Sequence, residues 1–179
     1  MNEFKSDIEA IRKRARAKMG EGSITDAYKA DVKRVISVLN EVLATEIVCV
    51  LRYKNHYYMA KGINSDAVKQ EFLEHANDEQ GHADQVAARI TELGGDPDLN
   101  PATLVSRSHA EYKGGPSLED MIREDLVAER IAIETYNDIA RWLGTDDITT
   151  RRMIESILAK EEEHANDMSD LLEKVAGKH

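Results

Sequence analysis

The chain has 179 residues, a formal net charge of -10 and a single cysteine, Cys49. That length suits one domain with one substantial core. The acidic balance argues against general nucleic-acid binding, and one cysteine excludes an intrachain disulfide and a four-cysteine metal site.

The start, MNEFKSDIEAIRKRAR, is charged and has no signal-like apolar run, and no stretch approaches the roughly 20 apolar residues of a membrane span. A cytoplasmic protein is expected. Abundant Ala, Glu, Leu and Arg point to an all-α chain.

Residues 1–25 read as an N-terminal extension, with a short helix over 5–18 ended by Gly20 and Gly22. Its second half, Arg12 to Lys18, is basic. A solvated helix packing on a neighbour is the first reading, and a DNA-touching arm the second, because Glu3, Asp7, Glu9 and Glu21 dilute the cluster.

Residues 26–176 read as a four-helix bundle. The first long helix is expected over 26–61. Its apolar seam is Val32, Ile36, Leu39, Leu43, Glu46, Val50, Tyr53 and Tyr57, stepping by four and three. Glu46 is the one charge in that row, costly to bury unless neutralised. The second helix is expected over 66–93, after Asn64 or Ser65 as N-cap. Its seam is Val68, Phe72, His75, Glu79, His82, Val86, Arg89 or Ile90, and Leu93.

Residues 94–116 break the pattern with four glycines and three prolines. At about 3.3 Å per residue they can carry the chain back along the bundle, so that the second and third long helices run parallel. The third helix is expected over 118–143, opened by Ser117 and Asp120, with seam residues Ile122, Leu126, Glu129, Ile133, Tyr136, Ala140 and Leu143. The fourth is expected over 147–175, with Ile154, Ile157, Glu161, His164, Met168, Leu171 and Val175 inward.

A two-fold repeat follows. A helix with one seam glutamate precedes a helix with Glu-x-x-His, and the pair recurs. The literal repeat EHAND at 74–78 and 163–167 is a decoy. Only the register that matches Glu79 and His82 with Glu161 and His164 places both residues of each pair in a seam. Positions i and i+3 share a helix face, so each pair can grip one ion.

Four carboxylates and two imidazoles make a hard-donor site suited to Fe, Mn or Zn. Two divalent ions balance the charges of Glu46, Glu79, Glu129 and Glu161; this is the arrangement of di-iron and di-manganese carboxylate bundles. The bland alternative is a metal-free bundle with buried Glu–His hydrogen bonds.

These residues resemble a bacterioferritin, within the ferritin-like superfamily, over roughly residues 35–175. Leu39-Asn40, Glu46, Tyr53 and His56 follow that family's first-helix spacing, and Glu79 lies at its interval from Glu46. Asp125-Leu126 with Ala128-Glu129 resembles its third-helix motif, and Glu161-Glu162 with His164 its fourth.

The resemblance implies that Glu46, Glu79, His82, Glu129, Glu161 and His164 bind two iron ions per chain, bridged by Glu79 and Glu161, with Tyr53 beside them. It implies oxidation of Fe(II) by H₂O₂ or O₂, iron storage and protection against oxidative stress. Glu74 and Asp78 fall where the family has an inner-surface iron site.

Gln80 stands where the family's haem methionine would be, so no haem is expected. The absence of room for a fifth helix, together with the N-terminal extension, resembles Dps-like proteins. That favours a 12-subunit shell over a 24-subunit one. A rubrerythrin-like peroxidase or another non-storing di-metal oxidoreductase is the alternative. Tyr136, like Tyr53, is expected to orient ligands. His75 is expected to make a core hydrogen bond, Cys49 to pack, and His56, His109 and His179 to be ordinary.

Overall fold

The computed structural model describes residues 5–20, 22–62 and 65–175. The expectations placed on Glu3, Glu21, Asn64 and His179 lie outside them. The described residues form helices and no strand: α1 (Ile8–Ala17), α2 (Val32–Met59), α3 (Ser65–Glu92), α4 (Leu104–Arg107), α5 (Leu118–Leu143) and α6 (Ile148–Val175). This is a ferritin-like four-helix bundle of α2, α3, α5 and α6.

Local chemistry sets the helix ends. The long first helix starts at Val32 rather than at Asp26, because the Asp31 carboxylate caps it by accepting from the Arg34 N–H at 3.2 Å. The segment before it is tied elsewhere: Tyr28 donates to Asp147 at 2.8 Å and Lys29 N–H to the Asp146 carbonyl at 3.3 Å. α3 closes on Gly94, whose φ of +80° suits glycine. At α5, Ser117 accepts from the Asp120 N–H at 3.1 Å and donates to its carboxylate at 2.6 Å.

Contacts between helices give their directions. Along α2 and α5, Glu46 meets Tyr136, Arg52 meets Asp125 and Tyr53 meets Glu129, so the two are antiparallel. α3 and α6 are antiparallel by the same logic, with Asp78 at His164 and Arg89 at Thr150. His82 at Glu46 and His75 at Tyr53 make α2 and α3 antiparallel too, so α3 and α5 run parallel.

The crossover is strapped along α2. Asn40 accepts from Asp98 N–H at 2.7 Å, Thr45 Oγ1 accepts from His109 N–H at 2.9 Å, and Arg107 donates to the Asn40 carbonyl at 2.8 Å. His109, expected to be ordinary, also has Nδ1 3.0 Å from Thr45 Oγ1.

The core is split in two. One apolar cluster includes Leu39, Leu43, Val86, Ile90, Ile139, Leu143, Ile154 and Ile157. The other includes Val68, Phe72, Ala76, Met121, Ile122 and Met168. Each large side chain fully buried there contributes about 1.5–3 kcal/mol. Between the clusters lies a polar layer at the middle of all four helices.

The inward row of α5 is buried as expected at Ile122, Glu129, Tyr136, Ala140 and Leu143. Leu126 and Ile133 are half-exposed, while Asp125, Ala128 and Ala132 are also buried. α5 packs on both α6 and α2, so it buries a wider face than a single seam predicts.

Candidate metal centre

The polar layer contains Glu46 of α2, Glu79 and His82 of α3, Glu129 of α5, and Glu161 and His164 of α6. Each sits where an apolar residue would otherwise fill the bundle axis. Glu46, Glu79, Glu129, Glu161 and His164 are 1 % exposed and His82 is 6 % exposed. Burying so many ionisable groups is costly unless something neutralises them.

They fall into two overlapping groups. Glu46, Glu79, His82 and Glu161 offer ligand atoms within 4.8 Å of one another, and so do Glu79, Glu129, Glu161 and His164. Glu79 and Glu161 belong to both. Two ions in such a layer would share those two carboxylates, each with one further glutamate and one histidine.

The hydrogen-bond inventory tests whether ions fit. Among the described residues, the buried side-chain atoms with no hydrogen-bond partner are Glu46 Oε2, Glu79 Oε1, His82 Nδ1, Glu129 Oε2, Glu161 Oε1 and His164 Nδ1. One atom comes from each of the six residues. Buried polar groups are normally paired, so this set calls for a missing partner. His82 Nδ1 is only 2.9 Å from Glu161 Oε1, yet off the line a hydrogen bond needs. His164 Nδ1 is 3.4 Å from Glu79 Oε1 and 3.6 Å from Glu161 Oε2. Carboxylate oxygens and imidazole nitrogens converging without hydrogen bonds between them fit divalent Fe, Mn or Zn.

Three of the remaining atoms of these residues are held. Tyr53 of α2 donates to Glu129 Oε1, and Tyr136 of α5 donates to Glu46 Oε1. Each seam glutamate is thus fixed by the tyrosine of the other seam helix. The tyrosines lie seven residues after Glu46 and Glu129 respectively, and the antiparallel packing crosses the pairs. His164 Nε2 lies 3.2 Å from Asp78 Oδ2, which fixes the tautomer that leaves Nδ1 free to bind a metal. Asp78, read from the resemblance as part of an inner-surface site with Glu74, is engaged in this way and by Lys160 at 3.5 Å. Glu74 is exposed.

Without a cation, protons would balance the layer. Burial and then the charge of Glu79 push the Glu46 carboxyl up to about 8. Burial and the charges of Glu79 and Glu161 hold Glu129 well above the ordinary carboxylate range. Burial opposes charging His82, but contacts with Glu161, Glu46 and Glu79 lift it to about 12. Burial likewise opposes charging His164, and Glu161 and Glu79 raise it to about 10. Burial and Glu46 work to raise Glu161, yet contacts with His164, His82 and Glu129 outweigh them and leave it below its ordinary value.

A cavity lies beside His82. Gln85, Ser156, Ile157, Ala159, Lys160 and Glu163 line a cavity of about 320 Å³ with that histidine, between α3 and α6.

Sequence reasoning missed a second buried polar cluster. His56, expected to be ordinary, is fully buried, as are Arg52 and Asp125. Arg52 Nε donates to Asp125 Oδ1 at 2.8 Å, and His56 Nδ1 lies 2.8 Å from Asp125 Oδ2. Arg52 also donates to the Glu111 carbonyl at 3.4 Å, and His56 Nε2 is 3.2 Å from the Lys113 carbonyl. Cys49 packs against this cluster, accepting from Arg52 at 3.5 Å. The signal available was the i, i+4 spacing of Arg52 and His56 beside the seam.

His75 makes the expected core hydrogen bond, its Nδ1 3.1 Å from the Tyr53 hydroxyl. Its ring also stacks on that of His164, with centroids 3.9 Å apart. The EHAND repeat therefore brings its two histidines together, although they do not take equivalent places in the layer.

Comparison with known proteins places the chain in a family. A model of the ferritin-like domain matches residues 36–177. The chain is 28 % identical to the bacterioferritin of Desulfovibrio desulfuricans, over 73 % of this chain and 70 % of that one. It is also 28 % identical to the DNA protection during starvation protein of Pyrococcus furiosus, over 79 % and 78 % of the two chains. A dodecameric thioferritin, the bacterioferritin-related protein of Bacteroides fragilis, superposes with a TM-score of 0.79 at 30 % identity, covering 94 % of this chain and 95 % of that one. With the family model spanning most of the sequence, the chain belongs to the ferritin-like family.

Proposed function

We propose that this chain is the subunit of a 12-subunit ferroxidase shell that oxidises Fe(II) in pairs and stores the product. The observation that carries this reading is the set of six orphaned atoms, one from each of six residues, in two groups sharing Glu79 and Glu161. Similarity to bacterioferritins and to the dodecameric Bacteroides protein supports it.

Fe(II) is the substrate. Each of two ions gives up one electron, and H₂O₂ takes both electrons with two protons to become two waters. With O₂ as oxidant, the same two electrons and two protons yield H₂O₂. The protein holds the ions together and keeps the ligands oriented. Tyr53 and Tyr136 fix the terminal glutamates, and Asp78 fixes His164. Consuming Fe(II) together with peroxide protects against oxidative stress.

Haem has no part in this reading. Gln80 occupies the position of the family's methionine, and its amide donates to Asp84 at 2.9 Å. DNA contact through residues 12–18 is a weaker element, since Arg14 and Lys18 approach Asp26 at 3.9 and 2.7 Å. Among the described residues no helix is long and apolar enough to cross a membrane.

The test is the iron retained per chain after aerobic Fe(II) loading and gel filtration. Many more than two irons, in a large particle, is the expected result. Two or fewer, in a small oligomer, would overturn storage and leave a rubrerythrin-like or other non-storing di-metal oxidoreductase.

A further inference from the structure

Next to the dinuclear layer, α3 and α6 bring together Glu71, His75 and Asp167. Each offers a ligand atom within 4.8 Å of the others. His75 is 2 % exposed, whereas the side chains of Glu71 and Asp167 are 33 % and 41 % exposed, so the group opens to solvent on its carboxylate side.

The hydrogen-bond direction at His75 decides what this group can hold. The Tyr53 hydroxyl has one proton, and it goes to Glu129. Its oxygen must then accept from His75, which places the ring proton on Nδ1. Nε2 is left with a bare lone pair. That lone pair faces Glu71 Oε1 and Asp167 Oδ2, each at 3.6 Å and beyond hydrogen-bond reach.

Two carboxylates and the His75 nitrogen converge there. No lysine or arginine among the described residues forms an ion pair with Glu71 or Asp167. Lys174 acts on Glu71 only through space.

We propose that Glu71, His75 and Asp167 form a third divalent-cation site beside the dinuclear centre. One imidazole and two carboxylates suit Fe(II), Zn(II) or Mn(II). Tetrahedral ligands at 2.0–2.1 Å from an ion stand about 3.4 Å apart, close to the spacing seen here. A cation on Nε2 would polarise the Nδ1–H bond toward Tyr53, and through it the position of Glu129. The site would thus act as a staging post whose filling is felt at the centre. The inference rests on Glu129 being an ionised ligand, as the proposed function has it.

Zn(II), which is not oxidised, separates the two claims. Crystals of the full chain soaked in Zn(II) are expected to show anomalous peaks at both dinuclear positions and a third between Glu71, His75 and Asp167. In the Glu71→Gln/Asp167→Asn variant the third peak is lost and the others remain, and the Zn(II) bound in solution falls by one per chain. Two dinuclear peaks without a third would overturn the site and leave the ferroxidase reading standing. A third peak that survives the double substitution would also overturn it. A third peak without the dinuclear pair would overturn the ferroxidase reading and, with it, the coupling of this site to Glu129.

Discussion

Two buried polar clusters lie side by side on α2 and α5, and they are built on opposite principles. In one, Arg52, His56 and Asp125 satisfy one another and two crossover carbonyls. In the other, four glutamates and two histidines each keep one atom without a partner. Both are excluded from water, so burial alone does not mark a site. The unsatisfied atoms do. The first cluster fastens the crossover to the bundle, and in the proposed function the second is held open by tyrosines and aspartate for ions.

Breaking the closed cluster should cost stability rather than chemistry. Asp125→Ala leaves Arg52 buried without its counter-charge, a loss of about 3–5 kcal/mol. Denaturant unfolding should show it, while variant protein that still folds keeps its metal stoichiometry. Breaking the open cluster should do the reverse. Glu79→Ala removes a shared carboxylate, and Fe(II) oxidation should slow by at least about 100-fold, beyond the 10–100-fold typical of outer partners. Its fold should persist, because a mutual repulsion is relieved.

Protons sharpen the contrast further. In the metal-free layer His82, at about 12, and His164, at about 10, both carry a proton at neutral pH that a metal must displace. Metal binding therefore releases protons, and affinity should rise from pH 5 to pH 8, by about tenfold per unit for each proton displaced. Titrating Zn(II) into weakly buffered protein reads this as acidification; no pH change would contradict it. The smallest effect is expected for Tyr136→Phe. Glu46 would lose one orienting bond but keep its metal, so oxidation should slow by about tenfold, with stoichiometry unchanged.

The same two clusters show what a sequence can reveal. Glu46, Glu79, Glu129, Glu161, His82 and His164 interrupt apolar seams, and a charge out of place in a periodic row is visible within one helix. Arg52 and His56 flank the seam, where a polar residue looks ordinary, and their partner Asp125 lies on another helix. Glu71 and Asp167 are hidden for the same reason. Which carboxylates meet across α3 and α6 depends on the register of packing, which periodicity does not contain. The wide buried face of α5 is a related case: one helix wedged between two has two seams, and a single stripe shows only one of them. The start of α2 was misplaced because Asp31 competes for the backbone locally.

The central claim is that the six converging residues oxidise iron in pairs. Rapid-mixing oxidation of Fe(II), followed by absorbance at increasing iron per chain, tests it most directly. The account predicts a fast phase whose amplitude saturates at two Fe(II) per chain and is absent from Glu79→Ala. A fast phase of equal amplitude and rate in that variant would contradict it.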